Sequence, residues 1–142
     1  MKILLTGSEG QLGRALRGSL PQVLQNSSVE LIATSRSGGD GLVALDLADA
    51  DACRVAVFES KPDWVINAGA YTAVDRAETE PELAQAVNGL APRAFAEALA
   101  QTGGRLLQVS TDFVFNGRQG HPYEPAQPCD PLGVYGTTKA AG

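Results

Sequence analysis

Cysteine and histidine are scarce in this sequence, and long apolar runs are absent. Cys53 and Cys129 are the only two cysteines. They stand far apart, so neither a disulfide framework nor a metal-ligand spacing can be read from them, and two reduced thiols fit a cytoplasmic protein. The single histidine, His121, lies in a Gly/Pro-rich stretch with no clustered Cys or carboxylate partner, which argues against a zinc site; no metal is expected. No apolar run approaches the ~20 residues that cross a bilayer. The opening Met1-Lys2-Ile3-Leu4-Leu5-Thr6-Gly7 is too short in its apolar part to serve as a signal peptide, so the cytoplasm is the expected location and no membrane partner is expected. Basic charge is also in deficit. Eleven Lys and Arg against sixteen Asp and Glu give a net charge of −5, and a chain so balanced lacks the basic face that nucleic acid requires.

What remains is ordinary globular composition, with 44% hydrophobic and 19% charged residues, enough to build a core. The 142 residues correspond to one domain, with no linker, internal repeat or low-complexity tract. Strand and helix patterns alternate. Lys2 to Thr6 reads as a first strand. Gln11 to Leu20 reads as an amphipathic helix, with Leu12, Ala15, Leu16 and Leu20 on one side and Arg14 and Arg17 on the other. Val29 to Thr34 and Leu42 to Leu45 are the next strands, followed by a helix over Asp49 to Ser60 that closes before Pro62. Trp64-Val65-Ile66-Asn67 lacks clean alternation, as expected of a strand buried on both faces of a parallel sheet. Thr79 and Glu82 have the spacing of a capping box for a long helical region. A bend or new helix start is expected near Asn88-Gly89 because of Pro92, then helix to about Gln101, ended by Gly103-Gly104. Arg105 to Ser110 is a fifth strand. Pro122, Pro125, Pro128 and Pro131 keep Asn116 to Gly133 irregular, and Tyr135 to Ala141 is helical. This order predicts the α/β class with an open parallel sheet of about five strands.

Three constellations carry chemistry. Gly7-Ser8-Glu9-Gly10-Gln11-Leu12-Gly13 joins the first strand to the first helix. A pyrophosphate there needs close backbone and a helix N-terminus offering free N–H groups, and glycine keeps side chains out of the way. An ordinary Gly-rich turn is the plainer alternative, but the strand before and the helix after supply the context of a dinucleotide site. The G-x-x-G-x-x-G spacing resembles the extended branch of the short-chain dehydrogenase/reductase superfamily, with its Rossmann-like doubly wound sheet. The second strand ends in Thr34-Ser35-Arg36-Ser37 without the acid that commonly holds the ribose hydroxyls of NAD. Arg36 is placed for a 2′-phosphate, so NADPH is the expected cofactor, with NADH as the alternative; Arg36 as a merely solvated residue stays open. Asp46 stands where the superfamily contacts the adenine amino group, or simply forms a turn. Tyr135-Gly136-Thr137-Thr138-Lys139 places Tyr135 and Lys139 on one helix face, and an ammonium beneath a phenol favours the phenolate, making tyrosine a usable general acid. Ser110-Thr111-Asp112 ends the fifth strand, on the same sheet edge as Asn67-Ala68-Gly69-Ala70. From there the Thr111 hydroxyl can hydrogen-bond a substrate carbonyl.

Together these residues resemble the dTDP-4-dehydrorhamnose reductase family. The matching segments are Met1 to Gly7 with Gly10 to Gly13, Asn67 to Asp75 with Ala77-Glu78, Ser110 to Phe115, and Tyr135 to Lys139; the run Ala70 to Glu78 is the most family-specific. The resemblance implies NAD(P)H-dependent reduction of the 4-keto group of dTDP-4-dehydro-6-deoxy-L-mannose to dTDP-L-rhamnose. It implies Thr111, Tyr135 and Lys139 as catalytic, and Thr111 and Asp112 beside the dTDP-sugar. Gly7, Gly10, Gln11, Leu12 and Gly13 would meet the pyrophosphate, Asp46 and Leu47 the adenine side, and Ala68, Gly69 and Ala70 the dinucleotide, with Tyr135 and Lys139 also on the cofactor. Gly69 departs from relatives, which often carry Ala. Family members have a sugar-nucleotide-binding part after the Tyr/Lys helix. Here that helix, at an ordinary ~11–12 residues, would run past Gly142. Residues 1–142 are therefore expected to be a C-terminally truncated NAD(P)-binding domain, weakly active or inactive alone. Another sugar-nucleotide epimerase or dehydratase of the superfamily is an alternative, although the Ala70 to Glu78 run argues against it. A non-catalytic subunit, like the regulatory subunit of methionine adenosyltransferase, is the other. A homodimer is left open.

Overall fold

A computed structural model describes residues 1–23 and 28–142 of the chain. The strand with the densest apolar run lies at the centre. β1 (Lys2–Thr6) buries Ile3, Leu4, Leu5 and Thr6, and it is flanked on both sides by parallel partners. Beside it run β2 (Glu30–Ser35), then β3 (Val43–Ala44), on one side, and β4 (Trp64–Asn67), then β5 (Arg105–Gln108), on the other. All four pairings are parallel, in the order β3-β2-β1-β4-β5. The chain thus winds outward from β1 in both directions, as a Rossmann-like α/β sheet does. The strand ends at Thr6, Ser35, Ala44, Asn67 and Gln108 all fall on one edge, where such sheets bind ligands.

α1 (Gln11–Val23) follows β1, and Pro21 sits in its last turn, so the helix outlasts the expected end at Leu20. α2 (Ala50–Ser60) starts at Asp49, whose carboxylate accepts from the Ala52 N–H at 2.9 Å. Its C-terminus is Lys61 at φ 46°, ahead of Pro62. α2 packs beside α5 (Ala91–Thr102), and the core lies between these helices and the sheet: Leu4, Cys53, Val57, Val65, Ala94, Phe95 and Leu99.

Three sequence expectations need correction, and the irregularity expected near Asn88-Gly89 takes a specific form. The second, third and fifth strands are displaced or shorter at their ends, because pairing stops at Ser35, Ala44 and Gln108. A short helix, α3 (Val74–Ala77), precedes the long helical region. The capping box is not formed. The Thr79 hydroxyl donates to the Arg76 carbonyl at 3.1 Å, finishing α3, and α4 (Pro81–Gln85) starts from Glu80 with no side-chain cap. Between α4 and α5 the helix does not restart. Ala86–Leu90 forms one wide π-type turn, with the Ala91 N–H donating to the Ala86 carbonyl and helical dihedrals on both sides. Widening the turn is how a continuous helix admits Pro92, which brings no N–H.

The chain from Ser110 to Gly133 is irregular apart from a 3₁₀ turn at Asp112–Val114. α6 (Val134–Ala141) then packs against α4, the π-type turn and the 3₁₀ turn.

Candidate active site

The glycine loop is shaped by its neighbours. Gly7 adopts φ +64°, and a Cβ there would stand 2.5 Å from the Gly69 N. A Cβ on Gly13 would run into the Gly7 carbonyl. These two glycines let the loop and the start of α1 close against the end of β4, at the point between β1 and β4 where the winding reverses. Ser8, which the sequence reading passed over, is fully buried; its hydroxyl donates to the Leu5 carbonyl and accepts from the Thr34 N–H, both at 3.1 Å. The Gly10 N–H donates to the Gly7 carbonyl at 2.9 Å.

A cleft of about 160 Å³ opens over this loop. Of the cofactor residues expected from the sequence, Gly7, Gly10, Arg36, Asp46, Leu47, Gly69 and Ala70 line it. Glu9, within the glycine motif, and Ser35, within the Thr34–Ser37 strand end, line it too, as do Leu45 and Val87, which no motif pointed to. Gln11 and Leu12 lie exposed on the first turn of α1, Gly13 is buried beneath it, and Ala68 lies against Gly7 rather than in the cleft. Arg36 faces Asp46, Nε to Oδ1 at 3.7 Å, so the two side chains assigned to the adenosine end stand together. The cleft fits a dinucleotide on its own terms: its floor is backbone that Cβ atoms would obstruct, a helix N-terminus adjoins it, and a cation stands at its rim.

A second cavity, of about 410 Å³, lies by the end of β5 and is lined among others by Asp112, Phe113, Glu78, Leu132 and Tyr135. Gly136 lets α6 come down on this turn, since a Cβ there would overlap the Phe113 carbonyl. The Phe113 ring meets the Tyr135 ring edge-on, with centroids 5.5 Å apart. Thr111 caps the 3₁₀ turn, accepting from the Phe113 N–H at 3.3 Å and donating to Asp112 Oδ1 at 3.1 Å. Lys139 is buried, and its ammonium donates to the Val109 carbonyl at 2.6 Å; burial pushes it below the ordinary lysine value.

A chain of hydrogen bonds runs from Gly69, in the first cleft, to Lys139 on α6. The Gly69 N–H donates to the Thr6 hydroxyl at 3.3 Å, and that hydroxyl donates to Asn67 Oδ1 at 2.5 Å. Asn67 Nδ2 donates to Gln108 Oε1 at 2.7 Å, and Gln108 Nε2 to the Val109 carbonyl at 2.9 Å, the same oxygen that Lys139 holds. Asn88, buried in the π-type turn, bridges the loop after β4 to α6. Its Oδ1 accepts from the Tyr71 N–H at 2.9 Å, and its Nδ2 donates to the Tyr71 carbonyl at 3.1 Å and to the Thr138 hydroxyl at 3.2 Å. Asn88 was missed because its sequence surroundings read only as a helix bend.

Comparison with known proteins decides the family. The RmlD substrate binding domain family matches residues 1–142, the whole chain. The chain belongs to this family. A dTDP-4-dehydrorhamnose reductase from Streptomyces griseus is 45% identical over 139 residues, which are 98% of this chain and 42% of that protein. The crystal structure of a dTDP-4-dehydrorhamnose reductase from Clostridium acetobutylicum superposes with a TM-score of 0.85 at 37% identity, over 99% of this chain and 47% of that one. A dTDP-4-dehydrorhamnose reductase from Bacillus anthracis, solved in complex with NADP, gives 0.83 at 30% identity, over 99% and 46%. The RmlD-family chain thus spans about half the length of the relatives it matches. Among the described residues no helix is long and apolar enough to cross a membrane, and no cluster of metal-ligating side chains occurs.

Proposed function

We propose that residues 1–142 form the nucleotide-binding domain of an NADPH-dependent reductase acting on the 4-keto group of dTDP-4-dehydro-6-deoxy-L-mannose in the cytoplasm. The observation that carries this reading is the pair of clefts on one sheet edge. One is a glycine-lined groove bearing Arg36 and the other a cavity bearing Tyr135, and a hydrogen-bonded chain through Asn67 runs from Gly69 of the groove to Lys139 on the helix that carries Tyr135. Gly7, Gly10, Gln11, Leu12 and Gly13 would hold the pyrophosphate, Asp46 and Leu47 the adenine, and Arg36 the 2′-phosphate. Ala68, Gly69 and Ala70 would line the dinucleotide. NADPH held there would supply the hydride that reduces the carbonyl carbon. Tyr135 donates the phenolic proton to the carbonyl oxygen, and Thr111 hydrogen-bonds the same oxygen. Lys139, fixed by the Val109 carbonyl, stabilises the phenolate left behind. Asp112 stands beside the sugar. Relatives named as reductases over the whole chain support this reading over the epimerase and regulatory-subunit alternatives. The NADP-bound relative supports NADPH over NADH.

The test pairs NADPH titration by fluorescence with an NADPH-consumption assay on the keto sugar nucleotide, using the natural protein that carries this chain. Tyr135→Phe is expected to lower kcat by at least about a hundredfold with NADPH affinity nearly intact; unchanged turnover removes Tyr135 as the acid. Because the chain spans under half the length of the Streptomyces relative, the 142 residues alone are expected to bind NADPH weakly and turn over little.

A further inference from the structure

Of the most family-specific run, Ala70 to Glu78, only Ala70 enters the function proposed above. Its last residue nevertheless reaches α6. Glu78 Oε1 accepts the N–H of Val134 at 2.8 Å, across 56 positions of sequence. Val134 is the first residue of α6 and Tyr135 the second, so this is one of the helix-end N–H groups that no intrahelical carbonyl can satisfy. The local N-cap position is Gly133, which has no side chain to do it. A Ser, Thr, Asp or Asn is the usual choice there, and glycine is the weaker cap. The geometry gives the reason: a Cβ at 133 would stand 2.8 Å from Glu78 Oε1. Gly133 and Glu78 are therefore a matched pair, the glycine leaving the space that the distant carboxylate fills. The Glu78 carboxylate also makes no ion pair among the described residues. The nearby Arg76 guanidinium goes to Glu80 instead, at 2.7 Å, and Glu80 also accepts the Tyr71 hydroxyl at 2.5 Å. A negative group at this end suits the helix dipole as well.

We infer that Glu78 is a positioning residue for Tyr135: it caps α6 from a separate segment and so fixes the first turn, on which the phenol is carried. The inference rests on the reading of Tyr135 as the proton donor. Besides the packing on Phe113, three hydrogen bonds hold α6 among the described residues: from Glu78 at its start, Asn88 at Thr138 and the Val109 carbonyl at Lys139. Of these three the first lies next to Tyr135. Loosening it moves the phenol relative to the carbonyl oxygen while leaving the glycine groove untouched, and small displacements of a reacting group are costly in rate.

The test uses the natural protein that carries this chain, with steady-state kinetics, NADPH affinity by fluorescence, and amide hydrogen exchange of the 133–139 segment. E78A is expected to lower kcat about tenfold, to leave NADPH affinity within about twofold, and to speed exchange at the start of α6. E78Q retains an oxygen that can accept from Val134 and is expected to restore kcat to within about threefold of the natural enzyme. Gly133→Ala, which displaces the carboxylate without removing it, is expected to reproduce the E78A pattern. The inference is overturned if E78A leaves kcat and exchange unchanged, if E78Q is no better than E78A, or if NADPH affinity falls in step with kcat. If the natural enzyme does not reduce the keto sugar at all, the reading of Tyr135 fails. Exchange at α6 then still decides whether Glu78 holds the helix.

Discussion

Two glycines that face each other across the end of β1 have opposite tolerance for a methyl group. Gly7 combines φ +64° with a Cβ position 2.5 Å from the Gly69 N, backbone that cannot give way. The left-handed conformation costs a residue with a Cβ about 1–2 kcal/mol, and the overlap adds a similar amount. Gly7→Ala is therefore expected to destabilise the fold by about 2–4 kcal/mol in urea denaturation and to abolish NADPH binding. Gly69 has no positive φ, and a Cβ there would meet Leu47 Cδ1, the free end of a half-buried side chain. Gly69→Ala is expected to cost under ~1 kcal/mol and to leave NADPH affinity within a few-fold. A Gly69→Ala loss as large as that of Gly7→Ala would show that the two strand ends are not packed as described. The role of Gly7 was legible in sequence, because a glycine between an apolar strand and an amphipathic helix has a backbone meaning. Val87 was not legible as a cleft residue. It reaches the groove through the stacking of a later helix, which leaves no spacing in the chain.

At the level of elements, the sequence shows where apolar periodicity sits but not which polar side chain closes which end. Asp49 caps its own helix and reads correctly. Thr79 and Glu82 have the right spacing for the same device, yet Thr79 terminates the element before it. Both α6 and the π-type turn are secured by partners distant in sequence. Asn88 shows how much can depend on one of these. It is 1% exposed and makes three hydrogen bonds that link the loop after β4 to α6. In Asn88→Ala the part-buried Tyr71 N–H and carbonyl and the buried Thr138 hydroxyl lose a partner. A lost buried partner costs about 1–3 kcal/mol, and the variant is expected to lose about that much in urea denaturation. Asn88→Asp keeps the acceptor for the Tyr71 N–H but cannot donate to the Tyr71 carbonyl or the Thr138 hydroxyl when ionised. An intermediate loss is expected for it. Equal stability of Asn88→Ala and the natural chain would mean that the wide turn is held by packing alone.

Across the whole molecule, the alternation of strands and helices sufficed to predict a parallel α/β sheet, because parallel neighbours need a crossover between them. The order β3-β2-β1-β4-β5 was not in the pattern. It follows from which strand is apolar enough to lie at the centre, and β1, with Ile3, Leu4 and Leu5 all buried, outcompetes the others. The core this arrangement makes can be probed through the two cysteines. Cys53 is fully buried against the sheet, whereas Cys129 is exposed on the Pro-rich loop. Native protein is therefore expected to react with one equivalent of a thiol reagent at once, at Cys129. Cys53 should react only as the core opens, at a rate that denaturant accelerates. Burial, with Asp49 and Asp46 adding to it, pushes the Cys53 thiol up from 9.0 to about 12. The unfolded chain releases that proton near 9.0 while the folded chain retains it, so the folded state binds more protons between 9.0 and about 12. Stability referable to this group is complete below pH 9.0 and falls as pH rises through that window. Cys53→Ser, which carries no titrating thiol, is expected to be less stable at pH 8, because a hydroxyl replaces sulfur in an apolar site. Its deficit relative to the natural chain should narrow as pH is raised from 9 toward 11 in parallel urea titrations. A deficit that stays constant over that range would place the thiol in contact with water and contradict a core closed between α2, α5 and the sheet.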